Sequence, residues 1–168
     1  MFDFGIADFR PLWLSGRMAV TVAHADRLRG LVGRTLTRTW LVWDVKDDEW
    51  FCDCPVLLDF AGEQIEINHW KFDDVSITWN AIDPHAAVRR PGFELQWREN
   101  PLTELRHLQG QTLESVELLE LTGIGMAQGA VDVSFVFPQG RVTVYNALDE
   151  NGLTFEPPDV KQRRHPLR

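Results

Sequence analysis

Cysteine, basic residues and long apolar runs are all scarce in this chain. Only two of the 168 residues are cysteine, and Cys52 and Cys54 lie too close together to build a disulfide framework. No segment approaches the roughly 18 consecutive apolar residues that a membrane helix requires. The stretch 1–9 carries two aspartates and no basic residue, unlike a secretion signal. These absences predict a cytoplasmic protein with no membrane partner.

Acidic residues outnumber basic ones, 25 to 17, which gives a formal net charge of −8. The phosphate backbone repels such a chain, so no nucleic-acid partner is expected. Hydrophobic residues make up 44%, enough for a core, and we predict one domain over 1–168. Four basic residues fall in the last eight positions, so 157–168 forms a basic tail. We expect this tail to be mobile; the alternative is that it docks on the acidic body.

The chain repeats itself at a spacing of 77 residues. The nine residues that begin at Leu28 recur from Leu105 with six identities, and the same spacing aligns Val56 with Val133. We therefore predict two tandem copies of one unit, covering about 16–80 and 93–156. Gly33 and Gly110 occupy matching positions. We expect both to adopt the positive φ that favours glycine.

Each copy shows short apolar or alternating segments separated by turn residues, a pattern typical of strands. The predicted strands are 18–22, 35–45, 56–60, 64–68 and 75–79 in the first copy, and 93–97, 112–121, 131–137, 141–146 and 153–155 in the second. Short helical turns are predicted only after Asp83-Pro84 and Asn100-Pro101. The predicted fold is all-β with little helix. Two pseudo-symmetric repeats of about five strands each would form one barrel or one sandwich.

Tryptophan distinguishes the two copies. The first copy holds Trp40, Trp43, Trp50, Trp70 and Trp79, which match Glu117, Glu120, Ala127, Ala147 and Glu156 of the second. The fold needs the residues that both copies share, so unmatched tryptophans are candidates for a binding surface. An acidic loop that the second copy lacks lies between two of them. Asymmetric filling of the core and a solvated hairpin remain the alternatives.

The predicted binding residues are Trp43, Trp50, Trp70, Asp47, Asp48, Glu49 and His69. We expect a non-enzymatic binding protein that uses this acidic, tryptophan-rich face, with a basic protein or a second copy of the chain as its partner. The duplicated all-β organisation and the acidic charge resemble small bacterial immunity or accessory proteins. That resemblance is one of composition and carries over no individual residue.

Two other functions stay open. One is a small-ligand-binding β-barrel with a pocket between the copies, lined by tryptophan, His69 and acidic groups. The least favoured is an enzyme that uses Cys52, Cys54 and His69, or a carboxylate pair such as Asp73 and Glu66. A Cys-x-Cys pair lacks the four-ligand spacing of a zinc site, and no nucleophile–base arrangement is evident. We therefore predict no cofactor, no metal and no catalytic residue.

Overall fold

The computed structural model describes residues 2–168, and β-structure dominates this part of the chain. The first half contains β1 (Trp13–Ser15), α1 (Arg17–Arg29), β2 (Leu36–Asp44), β3 (Glu49–Trp50), β4 (Val56–Phe60), β5 (Glu63–Trp70), β6 (Asp74–Trp79) and β7 (Leu95–Glu99). The second half contains α2 (Thr103–Leu108), β8 (Ser115–Leu121), β9 (Val131–Phe137), β10 (Gly140–Asn146), β11 (Asn151–Thr154) and β12 (Gln162–Leu167). The all-β prediction is confirmed. Neither helix of residues 2–168 is long and apolar enough to cross a membrane.

The strands form two separate sheets. The first has the order β1-β6-β5-β4-β2, with β3 and β7 also paired to β2, and the second has the order β11-β10-β9-β8-β12. Their facing sides share one hydrophobic core, in which the rings of Phe60 and Phe135 lie 5.5 Å apart. In each half the last strand returns to pair with the first strand of its own meander. The strand β7, which lies within the predicted second copy 93–156, therefore completes the first sheet and not the second. The sheets do not close into a barrel, so the barrel alternative is wrong.

Paired backbone hydrogen bonds join the starts of β2 and β8. The N–H of Gly33 donates to the carbonyl of Leu113 (2.9 Å), and the N–H of Gly110 donates to the carbonyl of Leu36 (2.8 Å). These two bonds are equivalent at the spacing of 77, because Gly33 matches Gly110 and Leu36 matches Leu113. Both glycines have positive φ, +87° and +86°, as predicted. Glycine is favoured at such positions because an L side chain is strained in that conformation.

The strand registers follow the same spacing over most of the sheets. Thr39 faces Leu58 across β2 and β4, and Val116 faces Phe135 across β8 and β9. The pairs β4–β5 and β9–β10 correspond in the same way. The correspondence ends at the sheet edges. The pairing of β10 with β11 is shifted by one residue relative to β5 with β6, and the pairing of β8 with β12 does not match that of β2 with β7 at this spacing.

The predicted strand 18–22 is wrong, because these residues belong to α1. Their alternation suggests a strand that buries every second side chain. Instead Val20 is buried with Leu28, whereas Met18 and Val22 are 61% and 84% exposed. Val20 and Leu28 are eight residues apart and share one helical face. Helical spacing therefore accounts for the burial, and strand alternation does not.

The expectation of a mobile tail is also wrong. Residues Gln162–Leu167 form β12, which pairs antiparallel with β8 over its whole length. The Nε–H of Arg164 donates to Glu117 at 3.1 Å, and Arg163 lies 3.8 Å from Glu120. The basic tail therefore docks on the acidic body, where Arg163 and Arg164 are paired with glutamates.

Candidate functional site

The predicted tryptophans lie on two different faces of the first sheet. Trp43 and Trp50 oppose each other across β2 and β3, and Trp50 packs against the core shared by the sheets. Trp70 packs instead against Trp13 (ring centroids 5.1 Å apart) and Phe2 on the outer face. All three are half-buried. They do not combine into one aromatic surface.

The acidic loop lies beside Trp43, and Asp47, Asp48 and Glu49 are exposed. The indole N–H of Trp43 donates to Asp48 at 3.0 Å. The guanidinium of Arg98 covers the Trp43 ring at 4.8 Å and lies 3.5 Å from Asp48. The chain's own arginine therefore occupies the aromatic face that a basic partner would use.

His69 and Trp70 line a small pocket of about 170 Å³ between the halves. The other lining residues are Phe2, Phe4, Asp53, Arg90 and Asp149. His69 is buried with its Nε2 3.3 Å from the carbonyl of Val144, and burial lowers its pKa to about 4, so the ring is neutral at pH 7. Arg90 pairs with Asp53 at 3.6 Å. The charged groups here largely satisfy one another.

The cysteines and carboxylates considered for catalysis are not assembled into a site. Burial raises the pKa of Cys54 to about 12 and that of Cys52 to about 11, so both thiols are protonated at neutral pH. Glu66 is buried and accepts hydrogen bonds from Thr78, Gln64 and the backbone after β6. Within residues 2–168 no group of three or more His, Cys, Asp and Glu residues is placed to hold a metal.

The outer face of the first sheet carries a second hydrophobic cluster. Its buried members are Phe4, Ile6, Trp40, Val42, Cys54, Leu57, Ile82, Val88 and Trp97. Some of these belong to the sheet, and others come from the segment 2–9 and the 80–94 connection, which cover it. Trp40 therefore fills a core, as the asymmetric-filling alternative expected.

The corresponding face of the second sheet is polar. Glu117 matches Trp40, is only 4% exposed, and lies 3.7 Å from Arg141 in addition to its bond from Arg164. Further along this face Thr143 donates to Ser134 at 2.8 Å. These buried polar groups bond to one another within the sheet, as buried polar groups must.

A cavity of about 390 Å³ opens at one end of this polar face, beneath the 155–161 connection from β11 to β12. It is lined by Leu121, Ala130, Asp132, Tyr145, Asn146, Thr154, Glu156, Pro157, Asp159 and Gln162, and we call it the acidic pocket. Three of these side chains are carboxylates, and none of the described lining residues is Lys, Arg or His. The negative charge of this pocket is therefore not compensated within it.

Asp132 is the most buried carboxylate of the acidic pocket, at 7% exposure. It accepts hydrogen bonds from the backbone N–H of Asn146 (3.2 Å) and from Nε2 of Gln162 (2.9 Å). Burial nevertheless raises its pKa to about 7. A cation placed beside Asp132 would favour its charged form.

Tyr145 is the only tyrosine of the chain and lines the same pocket. It faces Gly152 across β10 and β11, and a Cβ at Gly152 would lie 2.2 Å from the Tyr145 ring. The absence of a side chain at Gly152 therefore makes room for the ring of Tyr145. Sequence reasoning missed this pocket. The sequence did offer a signal, namely residues found in the second predicted copy and absent from the first. Asp132 and Tyr145 are two of these, because they match Pro55 and Asn68.

Comparison with known protein families, curated proteins and solved structures finds no match to this chain. The site itself must therefore supply the argument for function.

Proposed function

We propose that this chain is a non-enzymatic binding protein that recognises a basic partner through the acidic pocket. The observation that carries the proposal is Asp132, a buried carboxylate that shares its cavity with Glu156, Asp159 and an aromatic ring, with no cation among the described lining residues. A cationic side chain of a partner would supply the missing charge.

The lining suits an organic cation such as a guanidinium or ammonium group. Carboxylates pair with its charge, and the face of Tyr145 attracts it through the ring quadrupole. The cavity, about 390 Å³, lies in the size range of ligand sites and has room for one long side chain. The net charge of −8 and the exposed loop of Asp47, Asp48 and Glu49 would attract a basic protein at longer range.

We further infer that the two halves are copies of one unit. Three observations support this inference: the strand order, which is the same apart from the added β1 and β3, the matched registers of the central strands, and the exchanged bonds of Gly33 and Gly110. The first half covers its outer face with apolar side chains, so the unit does not require an open polar face there. The second half nevertheless has a polar outer face and a cavity there. A binding role would explain why it has them.

A second candidate function is the binding of a small solute between the halves. The pocket of His69 and Trp70 favours it, because residues of both halves line this partly open space. Its volume, about 170 Å³, limits the ligand to a few heavy atoms, and Arg90 already pairs with Asp53. The acidic pocket is larger and its charge is uncompensated, so we place binding there.

The single tyrosine gives a direct test. In protein labelled with ¹³C on the tyrosine ring, one set of ring signals reports on the acidic pocket. Blocked tetra-arginine and tetra-lysine peptides should shift these signals saturably at low salt, and a tetra-glutamate peptide should not. Binding should be stronger at pH 8 than at pH 6, because Asp132 binds a cation in its charged form. It should weaken as salt rises.

Variants locate the binding surface. Asp132→Asn with Glu156→Gln should weaken peptide binding at least tenfold, which corresponds to about 1.4 kcal/mol. Asp47→Asn with Asp48→Asn removes the same charge from the exposed loop and serves as the matched control. If the loop variant abolishes binding and the pocket variant does not, the face of Trp43 is the site. Unmoved Tyr145 signals with every cationic peptide would refute the pocket.

A further inference from the structure

We propose that a groove between α1 and β12 binds an acidic peptide segment of a partner protein. Arg17 and Arg29 of α1 and Arg164, His165 and Arg168 at the end of the chain line a space of about 470 Å³, here named the arginine groove. None of the described lining residues is Asp or Glu. Four arginines on one groove are notable in a chain of net charge −8. The groove is distinct from the acidic pocket, and each can be tested without the other.

Not all of this positive charge is neutralised. Arg164 pairs with Glu117, a carboxylate that also faces Arg141. Within residues 2–168 the one ion-pair partner of Arg29 is the fully exposed Asp26, at 3.2 Å, and such a surface contact contributes little. Among the described residues Arg17 has no ion-pair partner, and its Nε–H is shielded from solvent without an acceptor. An anionic ligand would therefore meet unpaired cations.

Arg17 also stands where helix stability disfavours it. It is the first residue of α1, and the first turn contains no acidic residue. The N-terminal end of a helix carries partial positive charge, so Asp or Glu stabilises this turn and Arg does not. Arg17 therefore adds positive charge to an end that is already positive, which favours the recognition of an anion.

An apolar rim on α1 identifies the kind of anion. Met18 and Val22 are among the most exposed apolar side chains, at 61% and 84%. At about 100° per residue they project from the same side of the helix as Arg29. The phosphate backbone of a nucleic acid has no apolar side chains to pack against this rim, and the acidic chain as a whole repels its phosphates. A peptide with both acidic and apolar side chains matches both features.

The length of the groove sets the length of the ligand. Arg17 and Arg29 are twelve residues apart on α1, which is about 18 Å along the helix axis. An extended chain covers that distance in about five or six residues. The expected ligand is therefore a short segment in which carboxylates alternate with apolar side chains.

The test uses the full chain, labelled with ¹⁵N, and a blocked hexapeptide of alternating glutamate and leucine. We expect saturable shifts of the amide signals of α1 and β12 at low salt, and none with a hexapeptide that has glutamine in place of glutamate. Arg17→Gln with Arg29→Gln should weaken binding at least tenfold. Arg10→Gln with Arg38→Gln changes the net charge equally at exposed arginines elsewhere, and should alter affinity less than twofold.

The apolar rim is tested separately. Met18→Ser with Val22→Ser should weaken the glutamate–leucine peptide severalfold and leave any binding of inorganic phosphate unchanged. Amide spectra of all variants establish that the fold is kept. Absence of shifts in the wild type, or equal weakening by the Arg10 and Arg38 control, would overturn the proposal. Tighter binding of phosphate or of a short DNA duplex than of the peptide would also contradict it.

Discussion

The outer faces of the two sheets show how one strand order supports two kinds of surface. The first face is apolar and lies beneath the segment 2–9 and the 80–94 connection, whereas the second is polar and ends in an open cavity. Trp40 and Glu117 occupy matching places and are both buried, one in a cluster and the other in an ion-pair network. Unmatched residues therefore mark where the two sheets differ in surface chemistry. They do not by themselves indicate which sheet would carry a binding site.

The apolar face should be the more costly one to disrupt. Trp40→Ala removes a large side chain that is 7% exposed and packs edge-on against the His85 ring. We expect a loss of about 3–5 kcal/mol in the free energy of unfolding, measured by urea denaturation. Trp43→Ala, at a half-buried position, is the control and should cost less. A loss below about 1 kcal/mol for Trp40→Ala would mean that the covering layer stabilises little.

The polar face should give the molecule a pH dependence that the apolar face lacks. The pKa of Asp132 is about 7 in the folded state and about 3.9 when unfolded, so the folded state binds the proton more tightly. The stabilising effect is complete below pH 4 and is lost as pH rises through 7. From pH 5 to pH 8 the wild type should lose on the order of 2–3 kcal/mol relative to Asp132→Asn.

Urea unfolding of both proteins at several pH values measures this difference, and the titration of groups common to both proteins cancels. A constant difference across the range would show that Asp132 titrates normally. Peptide binding to the acidic pocket should then be equally strong at pH 6 and pH 8, because Asp132 would be charged at both.

Removing Glu117 should cost less than removing Trp40. Glu117→Ala leaves Arg141 and Arg164 close together without their shared carboxylate. Because Arg164 is half-exposed, water partly solvates its charge once Glu117 is gone. We therefore expect the free energy of unfolding to fall by about 2 kcal/mol. In a double-mutant cycle, adding Arg164→Ala should cost less in the Glu117→Ala background than in the wild type. Additive losses would indicate that the pair is not coupled.

Local sequence patterns were enough to predict most of the strands. The predictions for 56–60 and 131–137 match β4 and β9 residue for residue, because both are rich in apolar residues and end at a turn. The helix α1 was missed because residues 18–22 alternate locally, and only packing in the folded chain reveals that Met18 and Val22 are exposed. The strand β12 was missed because its pairing with β8 is a tertiary contact.

The site was harder to predict than the fold, for a physical reason. The predicted strand 35–45 contains Trp43, whereas Trp70 lies just beyond the predicted strand 64–68. Which face of the sheet each tryptophan occupies depends on which strands pair. Asp132 shares its cavity with Glu156, Pro157 and Asp159 of the 155–161 connection. No local pattern encodes that connection's path. Comparing the copies therefore identified differing positions, but not the cavity.

The smallest expected effect concerns what the halves share. Gly33 and Gly110 have nearly equal φ, and a Cβ on either would meet no atom within 4 Å. Alanine at either position would therefore lower the free energy of unfolding only through backbone strain, by about 1 kcal/mol. Gly33→Ala and Gly110→Ala should therefore destabilise the protein by similar amounts in urea unfolding, unlike the matched pair Trp40 and Glu117. If only one of the two variants is destabilised, the two turns are not equivalent, and the inference that the halves are copies loses its strongest support.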